Sequence, residues 1–148
     1  MNFKAAIGKS QKKDLLEAVH EATHACLSQI PASEITLTIV FSTPAFAIQS
    51  LLNHIHLSLK AYAPLIGCSG MHIITPEGAQ KEGLVLLLLS LPNVKISCGV
   101  IGSSLPQDAF LAGQGLGTQL LANLKNYRRE LCLLFSDGLS EYAPELIK

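Results

Sequence analysis

At 148 residues and 15.8 kDa, with 49% of positions apolar and 15% charged, the chain is sized for one core rather than several. Eleven basic residues balance eleven acidic ones, and a formal net charge of zero offers no field for a phosphate backbone or an anionic bilayer. Nucleic acid and membrane are therefore excluded as expected partners. The longest apolar run, Leu84 to Leu89, falls far short of the roughly 20 residues of a membrane span, and Met1 to Ile7 is too short for a signal segment, so a soluble, cytoplasmic protein is expected.

Helical periodicity begins at about Ser10 and runs to Gln29, with Leu15, Val19, Ala22 and Cys26 on an apolar stripe and Lys13, Glu17, His20 and His24 on a polar one. After Pro31-Ala32-Ser33, the β-branched run Ile35 to Phe41 predicts a strand, and Ser42-Thr43-Pro44 predicts the start of a helix. That second helix, about Ala45 to Tyr62, gathers Ile48, Leu51, Leu52, Ile55, Leu59 and Tyr62 on one face until Pro64 stops it. Leu65 to Cys68 reads as a strand in a glycine-bounded segment. Met71 to Ile74 reads as a short strand, and Thr75-Pro76-Glu77-Gly78 as a turn. Gly83 to Ser90 is apolar almost throughout, as in a strand buried on both faces. Pro92-Asn93 then predicts a turn into an alternating strand, Val94 to Ile101, that pairs back as an antiparallel hairpin. A third helix, about Pro106 to Asn123, carries Gly113, Gly115 and Gly117, and Leu131 to Phe135 reads as a last strand before Ser136-Asp137-Gly138. The sum is an α/β fold: a mixed sheet covered by amphipathic helices, in a single domain over residues 1–148.

Several motifs match chemistry only in part. His20-Glu21-Ala22-Thr23-His24 spells H-E-x-x-H, which in zincins sets two imidazoles on one helix face to bind zinc while the glutamate polarises water. Fewer than about twenty residues precede it, too few for an upstream sheet, and no third ligand follows at a metzincin spacing. Glu17 and Lys13 continue the same face, so a solvated stripe without a zinc site is expected. His54 and His56 lie about 200° apart on their helix and cannot clamp one metal together. Cys26, Cys68, Cys98 and Cys132 form no C-x-x-C pair and read as reduced thiols.

Cys68-Ser69 between Gly67 and Gly70 departs from the G-x-S-x-G nucleophile elbow. Without a Cβ, however, such glycines let backbone N–H groups approach a small ligand closely. Gly113-Gln114-Gly115-Leu116-Gly117 is not a dinucleotide fingerprint, and Asp108 and Asp137 are isolated carboxylates. No enzymatic constellation assembles.

The order of elements is more specific than any one motif. Phe41-Ser42-Thr43-Pro44-Ala45 after a strand, an amphipathic helix, Leu65-Ile66-Gly67-Cys68-Ser69, Glu82-Gly83-Leu84-Val85 and Leu91-Pro92-Asn93-Val94-Lys95-Ile96 together resemble the N-terminal half of the FIST domain, with Ile35 to Val100 carrying most of the weight. The resemblance implies a sensory, ligand-binding domain of signal transduction proteins, non-enzymatic and without a cofactor. Its partners would be a small-molecule ligand, an amino-acid-like metabolite among the expected classes, and a C-terminal FIST domain or signalling partner. Where members of that family continue Gly-Cys-Ser with threonine or serine, a small residue and glycine, this chain has Gly70, Met71 and His72. Because a family member would run on past Asp137-Gly138-Leu139, an incomplete N-terminal domain is expected.

Loops at the carboxyl edge of open α/β sheets bind ligands, which selects Ser42, Thr43, Gly67, Cys68, Ser69, Gly70 and His72 as candidate ligand contacts. Two alternatives go with the resemblance. One is a haem-binding nitric oxide sensor with His72, His54 or His56 as axial ligand. The other is an interaction module that packs on a C-terminal FIST domain or another chain and binds nothing itself.

Overall fold

A computed structural model describes residues 2–46, 49–75, 77–101, 109–124, 128 and 131–136. The chain divides into two compact units, residues 1–94 and 95–148. The first holds a four-stranded mixed sheet with strand order β1-β6-β2-β3, two helices and a small hairpin. The expected α/β fold is therefore present.

The sheet opens on a strand that periodicity does not reveal. β1 (Lys4–Ser10) turns Ala6, Gly8 and Ser10 inward, and these are small because α1 (Leu15–Leu27) presses directly on them. A Cβ built on Gly8 would lie 1.9 Å from the Ala22 carbonyl oxygen and 2.8 Å from the Cys26 sulfur. Asp14 caps α1, its carboxylate accepting from the N–H groups of Leu16 and Glu17 at 3.0 Å each, so the helix starts at Leu15 rather than at Ser10, where β1 ends. The expected stripe holds for Val19, Ala22 and Cys26, which are buried with Ala18 and Thr23.

β2 (Leu37–Ser42) and β3 (Leu65–Ser69) run parallel, with Thr38 opposite Leu65 and Ser42 opposite Ser69. Parallel neighbours need a crossover, which α2 (Gln49–Leu59) supplies after a single 3-10 turn at Pro44–Phe46. Leu51, Ile55 and Leu59 are buried as the pattern predicts. Ile48 lies outside the described residues, and Tyr62 does not join the face. Lys60 adopts a left-handed φ of 49° and ends the helix one turn early, leaving Tyr62 fully exposed.

β6 (Leu84–Ser90) is the centre of the unit. It is antiparallel to β1 on one side and to β2 on the other, so β1, β2 and β3 all point the same way. Leu84, Leu86 and Leu88 are fully buried, whereas Val85, Leu87 and Leu89 are half-buried: one face of the strand makes the core, not both. Each fully buried leucine contributes about 1.5–3 kcal/mol of transfer free energy.

The hairpin expected between β6 and Val94 to Ile101 does not form. The turn is real, with Asn93 at a φ of 68° and the Val94 N–H donating to the Leu91 carbonyl at 3.2 Å. Both edges of β6 are already taken by β1 and β2, and residues 94–101 have no regular secondary structure. Leu131 to Phe135 is also irregular and exposed, since apolar content makes a strand only where a ladder receives it.

β4 (Ile73–Thr75) overlaps the expected short strand Met71 to Ile74 and, across the expected 75–78 turn, pairs with β5 (Gly78–Gln80), a strand not expected from the sequence; Pro76 lies outside the described residues. In the second unit, α3 (Ala109–Ala122) carries the three glycines, and Gly99 fits closely against Leu116, Gln119 and Leu120. Pro106, Asp108, Asp137 and Gly138 lie outside the described residues.

Candidate functional site: the carboxyl rim of the sheet

Because β1, β2 and β3 share a direction, their C-terminal ends meet at one rim, and each ends in serine. Register places Ser10 opposite Leu84, Leu84 opposite Ser42 and Ser42 opposite Ser69, a single row across all four strands. Cross-strand partners project to the same face, here the one covered by the helices. Ser10 and Ser42 are buried, whereas Ser69 at the sheet edge is open to solvent.

Beyond this row the backbone is locked. Thr43 is fully buried; its N–H donates to the Gly83 carbonyl at 3.1 Å, and its Oγ1 accepts from the Gly83 N–H at 3.1 Å. Gly70 N–H donates to the Ser42 carbonyl at 2.9 Å, closing the exit of β3 onto the end of β2. Gly83 has φ 150°, and a Cβ there would lie 2.8 Å from the Ser10 carbonyl oxygen, so the chain enters β6 by a path that only glycine takes without strain.

The sequence-selected residues thus divide. Ser42, Thr43, Ser69 and Gly70 come together at the rim. Cys68 pairs with Phe41 and, one residue from Ser69, projects to the opposite face, where its thiol is exposed. Gly67 sits inside β3 opposite Val40, and its lack of a side chain answers a packing need. His72 is exposed between β3 and β4; His54 is half-buried and His56 exposed on α2. Gly83 and Ser10 escape sequence reasoning. The one available signal is the glycine placed just before the leucine run of β6, since the strand that ends at Ser10 has no periodic signature.

A Thr43→Val substitution tests the lock. The isosteric change leaves the Gly83 N–H buried without its acceptor, so stability should fall by about 1–3 kcal/mol, read as a lower urea midpoint, while Thr43→Ser should recover most of the loss.

The histidine motif is occupied otherwise than in a zincin. His20 and His24 stack on the exposed side of α1 with ring centroids 6.0 Å apart, and Glu21 accepts a hydrogen bond from the Ser10 hydroxyl. Among the described residues, no group of three or more His, Cys, Asp or Glu side chains converges as a metal site. No helix among them is long and apolar enough to cross a membrane.

The cysteines differ sharply in environment. Burial pushes the Cys26 thiol up from the usual 9.0 to about 11, only partly offset by a hydrogen bond with the Leu88 backbone. Burial also raises Cys98. At pH 8 a disulfide-exchange reagent should therefore label exposed Cys68 and Cys132 quickly, Cys98 more slowly, and Cys26 only after unfolding. Fast labelling of Cys26 in the folded protein would contradict its place beneath α1.

No curated protein matches this sequence. Among solved structures, CetZ from Methanosaeta thermophila aligns at 13% identity and a TM-score of 0.35, over 61% of this chain and 26% of that one. This chain thus spans about a quarter of that protein, and a likeness at that level carries no argument about fold or function. The FIST N domain, in contrast, matches residues 36–148, from just before β2 through the last residue. That is well over half of the sequence, and it includes the β2–β3 rim, Gly83 and β6. The chain belongs to the FIST N domain family, which is linked to sensing in signal transduction.

Proposed function

We propose that this chain is a non-enzymatic sensory domain that binds a small polar ligand at the carboxyl rim of its sheet and reports to a C-terminal FIST domain or signalling partner. The observation that carries the reading is the convergence of three codirectional strands on one row, Ser10, Ser42 and Ser69, backed by the Thr43–Gly83 lock. Carboxyl ends of codirectional strands are where open α/β sheets bind ligands, because the strands stop there and leave backbone N–H groups and short polar side chains facing a crevice. Binding rather than catalysis fits the alternation of Cys68 and Ser69, which sends the thiol and the hydroxyl to opposite faces. Serines and glycines supply hydrogen bonds without steric bulk, suited to a compact polar metabolite; amino-acid-like compounds are the first class to try.

A thermal-shift screen against amino acids and related metabolites tests this directly. A ligand at 100 times its Kd adds about 2.7 kcal/mol, so a true ligand should raise the melting temperature in a dose-dependent way. Ser69→Leu, at an exposed position, should remove the effect without lowering the melting temperature of the free protein. Absence of any shift across the panel would contradict the reading.

A further inference from the structure

β1 is an edge strand, paired with β6 alone. In an antiparallel ladder, alternate residues point their N–H and C=O groups to opposite neighbours. The Thr43 N–H donates to the Gly83 carbonyl, so the odd-numbered residues of β6 face β2 and the even-numbered ones, Leu84 to Ser90, face β1. The register of β1 on β6 then turns the backbone groups of Ala6 and Gly8 toward β6, and those of Ala5, Ile7 and Lys9 toward the open edge. Among the described residues, the backbone groups of these last three meet no hydrogen-bond partner. Their side chains project to the face away from the helices and are exposed, Ile7 at 60%. β1 also precedes residues 36–148, so this edge lies outside the match to the FIST N domain.

We propose that the edge of β1 is a homodimer interface, at which a second copy of this chain adds its own β1 antiparallel across a twofold axis at Ile7. An unpaired edge is a template for strand addition, and self-pairing needs a strand that tolerates its own reversal. About Ile7, Lys4 falls opposite the partner's Ser10, Ala5 opposite the partner's Lys9, Ala6 opposite the partner's Gly8, and Ile7 opposite its own copy. The whole strand is used, and no two lysines oppose each other. Centring the axis on Lys9 instead would set two ammonium groups face to face. Lysines that commonly guard an edge are here neutralised within the chain, Lys4 by Glu34 and Lys9 by Glu77. In this register the outward-pointing residues exchange N–H···O bonds with their mates. The two Ile7 side chains then meet beside Leu87 on the outer face, which removes exposed apolar surface from water. The other edge strand, β3, spans five residues against seven in β1 and offers the shorter ladder. Because the two copies run antiparallel, their carboxyl rims lie at opposite ends of the joined sheet and both stay open, so the interface is independent of the ligand reading.

Sedimentation velocity over a concentration series should show a reversible dimer for the full chain. Ile7→Lys places two ammonium groups at the axis and should raise the dimer dissociation constant at least about tenfold, with the circular dichroism spectrum unchanged because the position is exposed. Disulfide trapping then reads the register. In a chain carrying Cys68→Ser, Cys98→Ser and Cys132→Ser, an added Ile7→Cys should oxidise to a covalent dimer, because a hydrogen-bonded pair holds its Cα atoms about 5.5 Å apart. Ala5→Cys should not, since its own copy lies about 13 Å further along the partner strand, whereas a mixture of Ala5→Cys and Lys9→Cys chains should crosslink. A monomer at every concentration, a dimer that Ile7→Lys leaves intact, or trapping of Ala5→Cys as readily as Ile7→Cys would each overturn the β1 interface.

Discussion

Replacing Gly8 with valine is expected to prevent the first unit from folding stably, lowering the melting temperature by about 10 °C or more. Even a single methyl at this position meets the Ala22 carbonyl oxygen at 1.9 Å, and that oxygen belongs to the backbone of α1, which cannot rotate away as a side chain does. To admit it, the helix must lift from β1, uncovering Ala18, Ala22 and Cys26, all fully buried now. Ordinary overpacking costs about 1–3 kcal/mol; lifting a helix off its sheet should cost at least about 3 kcal/mol. Gly8→Ala should produce a smaller loss of the same kind. A native-like melting temperature for Gly8→Val would mean that α1 does not pack on β1 as described.

Gly67→Ala is the second large effect, and it acts on the rim. A Cβ at Gly67 would lie 1.8 Å from the Val40 carbonyl oxygen, and the residue's φ of 155° is one that side-chain-bearing residues rarely adopt. Since Gly67 pairs with Val40 in the β2–β3 ladder, the substitution should push β3 away from β2 and separate Ser69 from Ser42. The expected outcome is a loss of about 3 kcal/mol or more in urea unfolding. Hydrogen exchange should be faster at Leu65 to Ser69 than at β6. Uniform destabilisation with β3 still protected would show that the close approach at Gly67 is not what holds the edge strand.

These two glycines also show how much the sequence disclosed. β2 was legible because β-branched Ile39 and Val40 sit in an apolar run, and α2 because Leu51, Ile55 and Leu59 recur at helical spacing. β1 was not legible, for a physical reason: its inward residues Ala6, Gly8 and Ser10 are small to admit α1, which erases the apolar alternation that marks a strand. Missing β1 then misdirected β6, whose free-looking edge invited a hairpin with Val94 to Ile101. Local pattern cannot report that an edge is occupied by a strand some eighty residues earlier, at Lys4 to Ser10.

The rim was half legible. Ser42, Thr43, Ser69 and Gly70 follow from the rule that loops at carboxyl ends of strands bind ligands. Cys68 was grouped with Ser69 because sequence proximity says nothing about face, and alternation along β3 separates them. Ser10 could not be found before β1 was known to share the direction of β2 and β3. Glu21 in particular stood out only as the centre of a zinc-binding pattern, whereas the fold gives it the Ser10 hydroxyl.

The most direct measurement is an amide chemical-shift titration of the 15N-labelled chain with the compound that stabilises it most. Binding at the rim predicts that the largest saturable changes fall on Thr43, Ser69, Gly70 and Gly83. Changes confined to α3, or no saturable change at the ends of β1, β2 and β3, would contradict the assignment of this rim as the ligand-binding site.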